Sequence, residues 1–328
     1  AGARADVDAV QGVRGVSFAK LGLFFLIFVV AATALLYTQQ RRLIFPAPSQ
    51  FPQAAPPGFR LVHTQTDDGL RLTAFHRTAR PGQRTIVFFH GNGDNLLGAI
   101  QATRGFAANG NGLLLAEYRG YGGNAGSPGE AGLYRDGDAA MRWLAAEGIA
   151  ARDVIVVGNS IGSGPATEMA LRHDVAALVL VSGFSSLPDV VGEALPFVPH
   201  WLVRDRFDNA GKLARVKAPV FLMHGDADTL VKPANLARLK RARPDATVAL
   251  VAGAGHELAY SAAAQAILQQ WVAEIPWPAI SPPRPRSPPA GSDTPAVRSG
   301  WRARYCGSHP AARQGRREPR GRRCSFSA

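Results

Sequence analysis

The longest uninterrupted apolar run in the chain, residues 21–37 (LGLFFLIFVVAATALLY), carries no charge, and none follows it until Arg41. Twenty such residues in a helix reach about 30 Å, the thickness of a bilayer's hydrocarbon layer. Residues 21–40 are therefore expected to span a membrane. A secretory signal is the competing reading, because Arg14 and Lys20 precede the run and Ala32-Thr33-Ala34 has the small-residue character of a cleavage site. The length of the run and its continuation into QQRRLIF favour an uncleaved anchor. Arg4, Arg14 and Lys20 before the span outnumber Arg41 and Arg42 after it, which slightly favours an inside amino terminus with the body outside or in a periplasm.

Beyond the span the pattern changes twice. Residues 46–58 hold five prolines, a composition that resists helix and central strand, so 41–57 reads as a connector between a short leader (1–20), the anchor and a body at 58–275. In the body, 61–66 and 70–77 alternate around Asp67-Asp68-Gly69, the chemistry of a hairpin turn. Continuous apolar segments at 85–89, 112–118, 154–157, 177–181, 220–223 and 247–251 then alternate with helical stretches. Strands of that kind are buried on both faces, which predicts an α/β fold with a mostly parallel central sheet and helices on both sides. Ser127-Pro128-Gly129-Glu130 supplies an N-cap, a first-turn proline and a capping-box glutamate for a helix reaching about Glu147. No internal repeat is present.

Charge alters this picture only at the carboxyl end. The 328 residues carry a net charge of +13, but residues 276–328 hold eleven arginines against Asp293 and Glu318. The excess thus belongs to a tail whose arginine and proline content predicts disorder, and no nucleic-acid partner is expected of the body. Both cysteines, Cys306 and Cys324, lie in that tail. The body therefore has neither a disulfide framework nor a cysteine-ligated metal site.

The chemistry concentrates at strand ends. Residues 154–157 run into Gly158-Asn159-Ser160-Ile161-Gly162 and then a helical stretch to about Arg172, placing G-x-S-x-G between a strand and a helix. A serine at the apex of so tight a turn forces strained backbone and leaves room for little but glycine two positions to either side. A hydroxyl is a poor nucleophile at neutral pH, so it needs a base and a group to orient that base. The loop after 220–223 offers Asp226 and Asp228, with His224 at the strand end, and the loop after 247–251 offers His256. Those ends face one crevice in a doubly wound sheet, and the order Ser…Asp…His is the one this architecture uses. For an oxyanion, the amide of Ile161 and that of Asn92 in His90-Gly91-Asn92-Gly93 are the expected donors, with Gly93 the neighbouring alternative. Glu257 beside His256 lacks the second histidine of a zinc motif, so no metal is expected. Gly120 to Ala125 satisfies a loose dinucleotide fingerprint, but its helix signal begins only at Ser127.

Taken in order, FFHGNGDN, EYRGYGGNAGSPGE, GNSIGSGPA, APVFLMHGDADTLV and GAGHE resemble the α/β-hydrolase superfamily over residues 58–275. The chain is most similar to its membrane-anchored serine hydrolases, which include protein depalmitoylases and lipid hydrolases. The resemblance implies Ser160 as nucleophile, Asp228 rather than Asp226 as acid, His256 as base, and Asn92 and Ile161 as oxyanion donors. Glu117 departs from the pattern, which more often has Asp there, and the arginine-rich tail has no counterpart in it. Residues 182–216 include Leu195, Phe197, Val198, Trp201 and Leu202. They would either roof the site for an acyl chain or pack against the body. The resulting expectation is a membrane-tethered esterase or thioesterase acting on a small-molecule, lipid or otherwise acylated substrate without a cofactor. An amidase or peptidase using the same residues, or a silent membrane-attached binding module, are the alternatives.

Overall fold

The computed structural model describes residues 18–49 and 54–274; the leader and the arginine-rich tail discussed above lie outside the described residues, apart from 18–20. Eight strands form one sheet: β1 (Arg60–Gln65), β2 (Arg71–Arg77), β3 (Thr85–Phe89), β4 (Gly112–Ala116), β5 (Val154–Asn159), β6 (Ala177–Val181), β7 (Val220–Gly225) and β8 (Thr247–Val251). Their spatial order is β1-β2-β4-β3-β5-β6-β7-β8, antiparallel at β1/β2 and β2/β4 and parallel from β4 to β8. The expected hairpin is present, closed by Thr66 N–H donating to the Leu70 carbonyl. In the register Phe89 pairs with Gly158 and Gly225 with Val251, so the loops leaving β3, β5, β7 and β8 open along one rim.

Every residue of β3, β4, β5, β6 and β7 is buried, as continuous apolar strands require. On one face, α2 (Leu96–Ala108) and α8 (Ala262–Glu274) cover Ile86, Phe88, Leu115 and Val157. On the other, α3 (Glu130–Ala146), α4 (Ser163–Arg172), α6 (Asn209–Leu213) and α7 (Ala234–Ala242) cover Val87, Leu114, Val156 and Leu180. The last strand departs from the expected double burial. As the sheet's edge, β8 has a single neighbour, and its Val248 and Leu250 are exposed.

Two further expectations are corrected by long-range contacts. The helix after Ser127 begins at Glu130 with Gly129 as its cap and no capping-box bond; the Glu130 amide is instead satisfied by Asp205 Oδ1 at 2.9 Å, and the Glu130 carboxylate accepts from Arg206 N–H at 2.7 Å. The apolar helix α1 spans Phe18–Ile44, four residues past the expected end, because its basic last turn is held by the body. Arg41 pairs with both oxygens of Asp205 at 2.7 and 2.8 Å, and the Gln40 amide donates to the Leu202 carbonyl at 3.0 Å. Phe45 follows into the core, edge-on to Phe207 with centroids 6.4 Å apart. The start of the proline-rich segment is thus part of the folded body. No residue of α1 itself is buried, and by length and composition it suffices to cross a membrane.

Candidate active site

The serine stands at a strained corner. Leaving β5, the chain makes a short 3-10 turn over Ser160–Gly162 before α4, and Ser160 has φ +52°, a left-handed conformation that costs a non-glycine residue about 1–3 kcal/mol. The flanking glycines permit the turn. A Cβ on Gly158 would strike the Gly162 carbonyl and come within 2.6 Å of the Ala166 methyl, and one on Gly162 would strike the Phe89 carbonyl at the end of β3.

The loops after β7 and β8 interlock beside it. Asp226 N–H donates to the Val251 carbonyl and Ala227 N–H to the Ala254 carbonyl. Asp226 is exposed and accepts Gly253 N–H at 2.7 Å, which makes it a clamp between the loops. Asp228 turns inward and is buried. Its Oδ1 accepts the Leu230 and Val231 amides at 3.0 and 2.9 Å, while its Oδ2 lies 2.8 Å from His256 Nδ1 and 3.3 Å from His224 Nε2. Burial opposes ionisation of this carboxyl, yet the hydrogen bonds from His224, His256 and Val231 outweigh it and hold Asp228 well below the usual carboxylate range. A carboxylate only accepts, so His256 Nδ1 carries the proton and Nε2 is the free acceptor. That Nε2 lies 2.9 Å from Ser160 Oγ. The structure therefore brings Ser160, Asp228 and His256 into one hydrogen-bonded chain, and it places Asp226 outside that chain.

A cleft of about 330 Å³ opens over Ser160 and His256, bounded by Asn92, Asp94, Leu230, Glu257 and Tyr260. Asp94 accepts from the Tyr260 hydroxyl at 2.5 Å, and among the described residues neither lysine nor arginine lines the cleft. Leu195, Phe197, Val198, Trp201 and Leu202 do not line it either, so of the two roles open to them they do not roof the site. Most of them do not pack inward: Leu195, Phe197 and Trp201 are exposed.

Asn92 sits on the cleft wall with its side chain fully engaged. The carboxamide oxygen accepts from Tyr121 Oη at 2.6 Å, and the amide group donates to the Ile44 carbonyl. Both ends of the carboxamide are thereby held. Ile161 follows the serine with its side chain buried. Behind this loop, His90 is fully buried, with Nδ1 2.8 Å from the Gly91 carbonyl and Nε2 2.7 Å from Glu117 Oε1. Both ring nitrogens face oxygens, an arrangement that the imidazolium opposite an ionised Glu117 satisfies. Burial works against that charge, but Glu117 overrides it and raises the His90 pKa above its ordinary value. Sequence reasoning found His90 but missed its partner in Glu117. It also missed Tyr121 and Ile44 on Asn92, His224 on Asp228, and Ser182, whose hydroxyl holds the His256 carbonyl at 3.2 Å. The Gly120–Ala125 stretch forms a turn, with Gly120 N–H on the Asn124 and Ala125 carbonyls, and opens no helix.

The family model for the alpha/beta hydrolase fold matches residues 84–217. An uncharacterised protein of Mycobacterium tuberculosis strain H37Rv is 35% identical over 233 residues, covering 67% of this chain and 82% of its own length. The chain belongs to the α/β-hydrolase superfamily. Another member, human alpha/beta hydrolase domain-containing protein 17B, is 33% identical over 200 residues, 59% of this chain and 67% of that protein. Among solved structures of the fold, a Pyrococcus furiosus esterase superposes with a TM-score of 0.58 at 17% identity, over 70% of this chain and 97% of the esterase. This α/β-hydrolase thus carries its serine, aspartate and histidine on the loops after β5, β7 and β8.

Proposed function

We propose that this α/β-hydrolase is a serine hydrolase, tethered to a membrane by α1, that cleaves the ester or thioester bonds of acylated lipids or proteins. The observation that carries the reading is the continuous chain from Ser160 Oγ through His256 to Asp228, with links of 2.9 and 2.8 Å. His256 Nε2 takes the hydroxyl proton as Oγ attacks the acyl carbon, and the ionised Asp228 steadies the imidazolium that forms. The main-chain N–H groups of Asn92 and Ile161 receive the charge that develops on the carbonyl oxygen. His256 then returns the proton to the departing alcohol or thiol, leaving an acyl group on Ser160. Water, activated by the same imidazole, releases it as the free acid.

The cleft wall supports an uncharged acyl substrate. Among the described residues Asp94 and Glu257 line it without a lysine or arginine, so a substrate anion would meet repulsion on entry. The tether rests on α1, whose last turn carries Arg41 and Arg42 and none of whose apolar residues is buried in the fold. Burying some fifteen such side chains in lipid is favourable by roughly 1 to 3 kcal/mol each, far beyond what holding them in water allows.

The direct test is turnover by the full-length chain in detergent micelles, comparing p-nitrophenyl esters and acyl thioesters from short to long chains. Hydrolysis of both classes is expected. A folded preparation that cleaves neither would overturn the reading.

A further inference from the structure

Of the exposed large apolar residues, three share one short segment. Phe197 and Trp201 are 79% and 73% exposed, Leu195 is exposed on the same segment, and Leu43 is exposed just past Arg42. The segment follows α5 (Leu187–Ala194) and includes a 3-10 turn over His200–Leu202. Large aromatic side chains left in water are informative when they cluster, because a monomer rarely leaves such a patch without a partner.

Contacts with α1 fix the height of this patch. Gln40 donates to the Leu202 carbonyl at 3.0 Å and accepts Arg204 N–H at 2.9 Å, while the Arg204 guanidinium lies 5.3 Å from the centre of the Tyr37 ring. Tyr37 closes the apolar run of the helix. At 1.5 Å per residue, Tyr37 and Gln40 differ in height by about 4.5 Å. The interfacial zone of a bilayer is of that order, about 5–7 Å on each side, and is where tryptophan and tyrosine concentrate. The segment therefore lies level with the point where α1 would leave the hydrocarbon. Arg42 and Arg204 flank it, whereas the nearby carboxylates are engaged: Asp205 by Arg41, and Glu193 by Arg238 and Asn235. The exposed guanidinium groups of Arg42 and Arg204 suit lipid phosphates.

We propose that residues 195–204 form a second membrane contact, in which Leu195, Phe197 and Trp201 seat in the headgroup and upper acyl region of the bilayer that α1 crosses. This rests on the tethered reading above and deepens it. Asn92 on the cleft wall is bonded to the Ile44 carbonyl, so the contact holds the open cleft close to the lipid surface and suits an ester group still embedded in the bilayer.

The test uses the full-length chain reconstituted in phosphatidylcholine vesicles containing a fifth of anionic lipid. Two readouts are taken on the same sample: resistance to an alkaline carbonate wash, and quenching of Trp201 fluorescence by acyl-brominated phosphatidylcholine. The Trp201 signal is taken as the difference between the wild type and Trp201→Phe. A carbonate-resistant chain whose Trp201 signal falls by about half or more is expected. In the same vesicles Phe197→Ser/Trp201→Ser should lose about fivefold in turnover of an embedded long-chain ester, with turnover of dissolved p-nitrophenyl acetate unchanged. A carbonate-resistant chain whose Trp201 is quenched by aqueous iodide and not by brominated lipid would overturn the contact and leave the tether standing. Release of the chain by carbonate would overturn the tether, and the contact with it.

Discussion

Two histidine–carboxylate pairs adjoin the cleft, and they are built alike but face different ways. His256 and Asp228 are 2.8 Å apart, His90 and Glu117 2.7 Å. Each carboxylate fixes one ring nitrogen, so what distinguishes the pairs is the other nitrogen. At His256 it faces a hydroxyl, which can give up a proton; at His90 it faces the Gly91 carbonyl, which cannot. Exposure follows the same division, since His256 keeps 17% of its side chain open to solvent and His90 keeps none. A proton can therefore pass through the first imidazole, whereas the second, held at both nitrogens, braces the Gly91–Asn92 loop. The identity of a pair says less about its chemistry than the group at its far end.

The largest effects should come from the His256 corner. Ser160→Ala and His256→Ala should each lower kcat by on the order of 10⁶-fold, and the double variant should be no worse, because the groups act as a unit. Asp228→Asn should cost about 10⁴-fold by presenting the wrong tautomer to the serine. Asp226→Asn, which touches only the Gly253 amide, should stay within about twofold by the same reasoning about tautomers. Steady-state turnover of one soluble ester checks all five, and an Asp226 variant worse than the Asp228 variant would undo the assignment.

The His90 corner should respond more weakly and in a different observable. Glu117→Gln removes the brace without touching the serine, and should lower kcat by about tenfold with little change in KM, as expected when an oxyanion donor is displaced rather than deleted. The same variant separates the corners by stability. A folded-state pKa raised above the unfolded value of about 6.5 contributes stability that is complete below that pH and is lost as pH climbs through the raised value. Wild-type denaturant midpoints should thus fall as pH rises above about 6.5, and the slope should flatten in Glu117→Gln. Smallest of all, Tyr121→Phe frees one side of the Asn92 carboxamide and should cost about threefold in kcat, in keeping with loss of a neutral hydrogen bond of about 1 kcal/mol. If Tyr121→Phe proved as damaging as Glu117→Gln, the loop would be held by its rim and not by the buried pair.

Much of this was legible from the sequence because it is local. The strand segments are short apolar runs whose burial on two faces leaves one reading, and the loops carrying Ser160, Asp228 and His256 each declare themselves within a few residues of a strand end. What escaped is set by contacts between distant positions. Glu130 looked self-capped until Asp205 and Arg206 took that role from 75 and 76 residues away. Residues 41–45 looked like the start of a loose connector until Arg41 met Asp205 and Phe45 met Phe207. Glu117 registered as a departure from a family pattern, yet its position is explained by a histidine 27 residues earlier. Composition could not tell that Phe197 and Trp201 point to solvent either, since an apolar loop reads the same whether it roofs a cleft or leaves the body.

The central claim is that the hydroxyl at position 160 is made nucleophilic by its neighbours, and covalent labelling tests it most directly. The folded full-length chain is exposed to a fluorophosphonate, digested and mapped by mass spectrometry, beside His256→Ala. The account predicts one stoichiometric adduct on Ser160 in the wild type and almost none in the variant. Absence of label at Ser160, or equal labelling in the two proteins, would contradict it.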